Sequence, residues 1–236
     1  MRWCSARWRR SWARWLSGEL SAGSVLVFGQ LAASPAILQA QTMDDLPHIH
    51  PPPALAYILK RTADLRFDMA SEQRTGALLR TLAASKPAGR FLELGTGTGI
   101  ATAWLLDGMD SATELTSVDV NSTFQEVARE AFAADRRLTL VTEDALAFLK
   151  RQPAASFDLV FADALAGKYD GLDEALRVVK AGGFYVIDDM LPQSNWPDGH
   201  AARVSALIAT LAAHPDFQMV PLAWASGIVV AVRKQC

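Results

Sequence analysis

The chain is 236 residues long, half of them apolar and a fifth charged, a profile that suits one globular domain with a sizeable core, so disorder is not the default reading. Its net charge of −2 is unevenly spread: residues 1–42 hold Arg2, Arg7, Arg9, Arg10 and Arg14 against Glu19 alone, leaving 18 basic and 24 acidic residues in the rest. A body with that acidic excess is poorly suited to tracking a nucleic-acid backbone, so small molecules are the expected partners. Cys4 and Cys236 stand at opposite ends, offer no metal spacing or disulfide framework, and fit a reducing, cytoplasmic compartment.

Residues 1–42 form an N-terminal extension with Trp3, Trp8, Trp12 and Trp15, followed by a charge-free stretch from Leu20 to Gln41. Two readings compete. An arginine-rich start before an apolar segment is signal- or anchor-like, with Trp8, Trp12 and Trp15 on one face of an interfacial helix, and would be the only membrane contact. The favoured alternative is a tail or a mis-assigned start ahead of Met43, because the apolar segment is marginal as a span. Residues 43–53 are read as a Pro-rich linker, with "PHIHPPP" (Pro47 to Pro53) stiff and extended. His48 and His50 in it lack a third ligand nearby and are expected to be solvated.

Residues 54–236 are read as the main domain. Two helices come first, then short apolar strands alternate with amphipathic helices: Arg90 to Leu94, Leu115 to Val120, Leu138 to Thr142, Phe157 to Ala162 and Gly183 to Asp188. The intervening segments are long enough for crossover helices, so these strands should be parallel. A helix near Gly199 to Ala213 follows, then Phe217 to Leu222 and Gly227 to Val232, joined by "AWAS". So short a link pairs its strands antiparallel. The expected fold is a Rossmann-like, doubly wound α/β domain with a mostly parallel seven-stranded sheet and a reversed C-terminal strand.

"FLELGTGTGI" (Phe91 to Ile100) sets Gly95, Gly97 and Gly99 between a strand and a helix, where backbone amides and a helix N-terminus face a ligand. Asp119, twenty residues past Gly99 at the end of the next strand, is placed to take both hydroxyls of a ribose. These features point to an adenosine derivative. Glu93, two residues before the loop, would repel a pyrophosphate and favour a ligand bearing an ammonium and a sulfonium, as S-adenosylmethionine does. The Gly-x-Gly-x-Gly spacing also departs from that of dinucleotide binders, which weighs against the alternative of a nicotinamide-dependent oxidoreductase. A non-catalytic cofactor-binding protein remains a third reading.

From about Phe67 to Arg233 the chain resembles the class I S-adenosylmethionine-dependent methyltransferases, and within them the small catechol- and caffeoyl-CoA-type O-methyltransferases. The resemblance rests on the glycine loop, on "DMASEQRTGALLRTLAASKPAGRFLELGTGTG", on "FDLVFADALAGKY" (Phe157 to Tyr169) and on "YVIDDMLP" (Tyr185 to Pro192). It implies a methyl acceptor that is a small hydroxylated, possibly aromatic, molecule. It assigns Glu93, Gly95, Gly97 and Gly99 to the methionine part of the cofactor, Asp119 to the ribose, and Asp144 and Ala145 of "TEDA" to the adenine border. Met69 and Ser71 would close over the cofactor. For Met69 a core position, and for Asp144 a helix N-cap, stand as alternative readings.

The resemblance also implies a divalent ion, Mg²⁺ or similar, held by Asp163, Asp188 and Asp189, with a turn-and-cap role as the alternative for the last two. Such an ion would lower the pKa of an acceptor hydroxyl and orient it. The family pattern places a lysine three residues after the metal aspartate, where this chain has Ala166; Lys168 is the nearest substitute as catalytic base beside Asp163. Trp196 and His200 of "PQSNWPDGH" are candidates to cover an acceptor and to move a proton, against plain loop and helix packing. Trp104 is expected in the core. Members of this group are often homodimers, and the residues leave that open.

Overall fold

The computed structural model describes residues 48–235; the expectations for the N-terminal extension, Pro47, Cys4 and Cys236 lie outside the described residues. Two helices, α1 (Leu55–Asp64) and α2 (Gln73–Ala84), precede the first strand. Then come β1 (Arg90–Leu94), α3 (Ile100–Gly108), β2 (Glu114–Asp119), α4 (Ser122–Ala131), β3 (Leu138–Thr142), α5 (Ala145–Arg151) and β4 (Phe157–Ala162). A one-turn α6 (Leu165–Lys168), α7 (Leu172–Arg177), β5 (Val179–Ile187), α8 (His200–Ala212), β6 (Phe217–Leu222) and β7 (Ile228–Arg233) complete the chain. The seven strands form one sheet in the order β3-β2-β1-β4-β5-β7-β6.

The first five strands are parallel, and β7 runs antiparallel to both β5 and β6. The expected reversed C-terminal strand is therefore present, inserted between β5 and the edge strand β6. Only β5 differs much from its expected bounds. It begins at Val179, because Val179 pairs with Phe157 ahead of a register shift, after which Leu159 pairs with Phe184. That irregularity absorbs Lys180 to Gly182, which the expected strand bounds leave out.

Strand residues alternate between two faces, and the sequence loads both with apolar side chains, as a sheet covered on both sides requires. Phe91, Leu115, Leu159, Phe161 and Val186 pack with α2 and α3 on one face. Leu92, Leu94, Val118, Val160 and Tyr185 pack with α5, α7 and α8 on the other. Trp104 of α3 is fully buried, as expected, in a cluster with Leu55 and Ile58 of α1 and Val127 of α4. Residues 48–53 are anchored to this side: Ile49 packs against the cluster, Pro52 is buried, and Arg80 donates to the carbonyl of His50 at 2.7 Å. Among the described residues no helix is long and apolar enough to cross a membrane.

The crossing of α2 and α3 is close at two glycines. A Cβ at Gly76 would lie 2.2 Å from the Trp104 ring, and one at Gly108 would lie 2.2 Å from the backbone oxygen of Arg80. The second obstacle is backbone, which cannot swing aside. Gly108→Ala is accordingly expected to destabilise the chain by roughly 1–3 kcal/mol through overpacking. A thermal-denaturation midpoint equal to that of the parent chain would show that the two helices sit further apart.

Candidate active site

Leu94 of β1, Ala162 of β4 and Ile187 of β5 are in register across three neighbouring parallel strands, so the residues that follow them emerge side by side at one edge. Those residues are Gly95, Asp163 and Asp188. The sheet order reverses between β1 and β4, the switch point at which open α/β sheets bind ligands. Gly95 adopts φ +99°, and a Cβ there would sit 2.7 Å from the carbonyl oxygen of Asp163, so glycine is required by both conformation and contact. The loop then turns into α3 through Gly99, the left-handed N-cap. Asp119 at the end of β2 steadies it, accepting from the Gly97 amide on one carboxylate oxygen and from the Asn121 amide on the other, both at 2.8 Å.

These elements border a cavity of about 600 Å³, within the range of small-molecule and cofactor sites. Of the residues singled out from sequence, Met69, Ser71, Gly95, Gly97, Asp119, Asp163, Lys168, Asp188, Asp189, Trp196 and His200 line it. Met69 is 65 % exposed, which settles it at the mouth and not in the core. Ser71 donates to Asp163 at 2.8 Å, tying the segment before α2 to the end of β4.

Glu93, Gly99, Asp144 and Ala145 are not among the lining residues. Gly99 packs instead on α4, where its Cβ would meet that of Ala128 at 2.7 Å. Asp144 takes its N-cap alternative, accepting from the Ala147 amide at 2.7 Å, and Ala145 is buried in the core cluster below. Glu93 departs most from expectation. Strand parity directs it to the same face as Phe91, beneath α3, where it is fully buried. Thr102 donates to its Oε2 at 2.5 Å, Ser117, its neighbour on β2, also donates to that oxygen, and Oε1 has no partner. Burial pushes its pKa up to about 7, opposed by those two hydroxyls. It therefore supports the loop from below and makes no contact with the cavity.

At the other end of the cavity lie three acids and one lysine. Ala166 and Gly167 interrupt α6 with non-helical angles, and that turn swings Lys168 back toward the sheet edge. Its ammonium is 2.9 Å from the carbonyl of Asp188, 3.6 Å from Asp163 and 3.8 Å from Asp189. Asp188 is buried, and its Oδ1 accepts from Ser226 and from the Asp189 amide. Burial raises the Asp163 pKa, opposed by the nearby ammonium, and raises that of Asp188, opposed by the Ser226 hydroxyl.

One expectation is corrected by this geometry. A divalent ion needs several oxygens converging on one point, yet among the described residues no three acidic, His or Cys side chains are so disposed. The Asp163–Asp188–Asp189 set does not fit a metal, because Lys168 stands among the carboxylates and Asp188 is turned toward Ser226. Lys168, the candidate base, lies at ion-pair distance from Asp163 and Asp189.

Tyr169 and Ser226 belong to the site although no motif singled them out. The Tyr169 hydroxyl is 3.1 Å from His200 Nε2, and the Trp196 and His200 rings are 4.7 Å apart, so the loop before α8 contributes an aromatic wall. Burial, with Arg203 and Lys168 nearby, lowers the His200 pKa. Tyr169 follows Lys168 directly and could have been found in the fourth-strand segment; Ser226, beyond β6, carries no local signal. A second hollow of about 420 Å³ between α2 and the β6–β7 link, lined by Ile49, Leu78, Leu222 and Trp224 among others, has no charged group and none of this chemistry.

A switch-point cavity with a glycine loop at one end and an acid-lined pocket at the other defines a nucleotide-cofactor enzyme site of the Rossmann-like class. Comparison with known proteins narrows the class. The family described as methyltransferase domain matches residues 92–190. A protein of Mycobacterium marinum named as an O-methyltransferase is 32 % identical over 191 residues, covering 75 % of this chain and 84 % of that protein. This chain belongs to the O-methyltransferase family. A like-named protein of Mycolicibacterium vanbaalenii is 37 % identical over 117 residues, 48 % of this chain and about half (52 %) of the relative's own length. Among solved structures, the O-methyltransferase TomG of Streptomyces achromogenes, in complex with S-adenosylmethionine, superposes with a TM-score of 0.69 at 21 % identity, covering 81 % of this chain and 94 % of that one. At that identity the likeness is one of fold.

The buried Glu93 has a pH signature. Its folded pKa lies above the unfolded value of 4.5, so its contribution to stability is fully present below about pH 4.5 and is lost as pH rises through about 7. Glu93→Gln, neutral at every pH, is expected to be more stable than the parent at pH 8, by up to roughly 3 kcal/mol, and to lose that advantage toward pH 5. Denaturant midpoints at the two pH values check this; an advantage independent of pH would show that the carboxyl does not titrate across that interval.

Proposed function

We propose that the chain is an S-adenosylmethionine-dependent O-methyltransferase whose acceptor is a hydroxyl of a small, aromatic molecule. The observation that carries this is the arrangement of one cavity: a glycine loop and ribose-height carboxylate at one end, and a buried acid with an aromatic wall at the other. The fit to the cofactor rests on this chain's own geometry. Gly95 and Gly97 line the cavity with positive φ where a Cβ would meet the Asp163 carbonyl at 2.7 Å and the Phe67 ring at 3.0 Å, and Asp119 lines it at the end of β2. The O-methyltransferase relatives support the same reading.

When bound, the cofactor supplies a methyl group activated by a sulfonium. The chain's residues do the rest. Asp163 is suited to receive the acceptor's proton, because burial raises its affinity for one. Ser71 fixes the Asp163 carboxyl through its hydroxyl. Trp196, Tyr169 and the Met69 side chain at the mouth would hold a flat acceptor and exclude water. The acidic main domain supports a small-molecule acceptor over a nucleic acid.

Calorimetric titration with S-adenosylmethionine is expected to show saturable binding, weakened roughly tenfold or more in Asp119→Ala. Labelled methyl should then pass to a phenol or catechol. Binding of NADH in place of S-adenosylmethionine would overturn the reading.

A further inference from the structure

We propose that the ammonium of Lys168 is the resident cation of the acceptor pocket, standing where the resemblance places a divalent ion, so that the chain transfers methyl groups without a metal. This rests on the methyltransferase reading above.

Four observations carry it. The lysine is displaced by two positions from the family pattern, and the displacement is built into the backbone: Gly167 adopts φ +87°, and the Tyr185 hydroxyl donates to its carbonyl. A Cβ on Gly167 would lie 2.5 Å from the Leu94 side chain, so the turn packs closely against β1. Lys168 is only 5 % exposed, unlike a surface lysine that swings through solvent. Its ammonium touches the carbonyl of Asp188 and lies within 4 Å of both Asp163 and Asp189.

The carboxylates of Asp163 and Asp189 flank that ammonium. Asp188 Oδ1 is committed to Ser226 and the Asp189 amide. A dication brought among these groups would meet the charge of a lysine that is itself only 5 % exposed, where water screens repulsion between like charges weakly. A buried ammonium can do part of what the ion would do: it attracts the oxygen of the acceptor as negative charge develops there and holds it in place.

The step balances without a metal. The acceptor oxygen forms a bond to the methyl carbon, the carbon–sulfur bond breaks with its electron pair left on sulfur as a neutral thioether, and the hydroxyl proton passes to the Asp163 carboxylate. The sulfonium charge and the carboxylate charge disappear together, while the ammonium keeps its own throughout.

Manganese titration of the full chain, followed by electron paramagnetic resonance, tests this apart from turnover. The wild-type chain is expected to leave millimolar Mn²⁺ free, and Lys168→Met to take up the ion between the released acids. With S-adenosylmethionine and a catechol, EDTA should change kcat/KM of the wild type by less than about twofold, and Lys168→Met should lower kcat while leaving the KM for S-adenosylmethionine nearly unchanged. Tight Mn²⁺ binding by the wild type, abolished in Asp163→Asn, together with EDTA-sensitive turnover restored by Mg²⁺, would overturn the proposal. The wild-type titration decides the point even if Lys168→Met fails to fold. Failure of the methyltransferase reading would show separately, as absent S-adenosylmethionine binding in calorimetry.

Discussion

The contact of Gly95 with the backbone of Asp163 is the constraint on which the site depends. Parallel pairing of β1 with β4 brings the two strand ends into register, and the absence of a side chain at Gly95 lets the two turns touch. The glycine loop and the acid to which the proposed function assigns cofactor and acceptor thereby become neighbours in one short stretch of backbone. Methyl transfer needs its donor and acceptor within bonding reach and in line, a requirement that this adjacency would meet under the proposed function. A larger residue at Gly95 would push the two ends of the cavity apart before it altered any chemical group.

Support for this contact comes from a buried polar network below the loop. Thr96 shares a hydrogen bond with Ser117 at 2.6 Å, Ser117 donates to Glu93, and Gln125 of α4 donates to Thr96 at 3.1 Å while accepting from Thr142 of β3 at 2.5 Å. These bonds join the loop to β1, β2, β3 and α4. A buried network of this kind is stabilising only when its members are satisfied, because an unpaired polar group in low dielectric is costly. The unpartnered Oε1 of Glu93 is that cost in this chain, and the raised pKa is its electrostatic expression.

Much of the fold was legible in the sequence because it rests on local signals. Alternating apolar runs and helical spacing located the strands and the crossover helices, and the four-residue "AWAS" link was too short for anything but an antiparallel pair. The start of β5 was hidden, since its pairing depends on a distant strand. The site was legible in part. Gly95, Asp119, Asp163 and the Asp188–Asp189 pair were found because each ends or follows a strand in a recognisable segment. Glu93 was correctly noticed and incorrectly aimed: proximity to the loop suggested contact with a ligand, while strand parity sends its side chain to the opposite side, under α3. Lys168 and Ser226 reach Asp188 through a left-handed turn and through the pairing of β5 with β7, neither of which leaves a mark in a linear pattern.

Under the proposed function, one switch-point cavity holds the methyl donor with its sulfur toward Asp163 and Lys168. A crystal structure with S-adenosylhomocysteine tests it most directly. The ribose hydroxyls should rest on Asp119, the methionine part should lie along Gly95 and Gly97, and the sulfur should face the Asp163–Lys168 pair, with Glu93 still bonded to Thr102 and Ser117. Density for the ligand outside this cavity, or with its sulfur directed away from Asp163, would contradict the account.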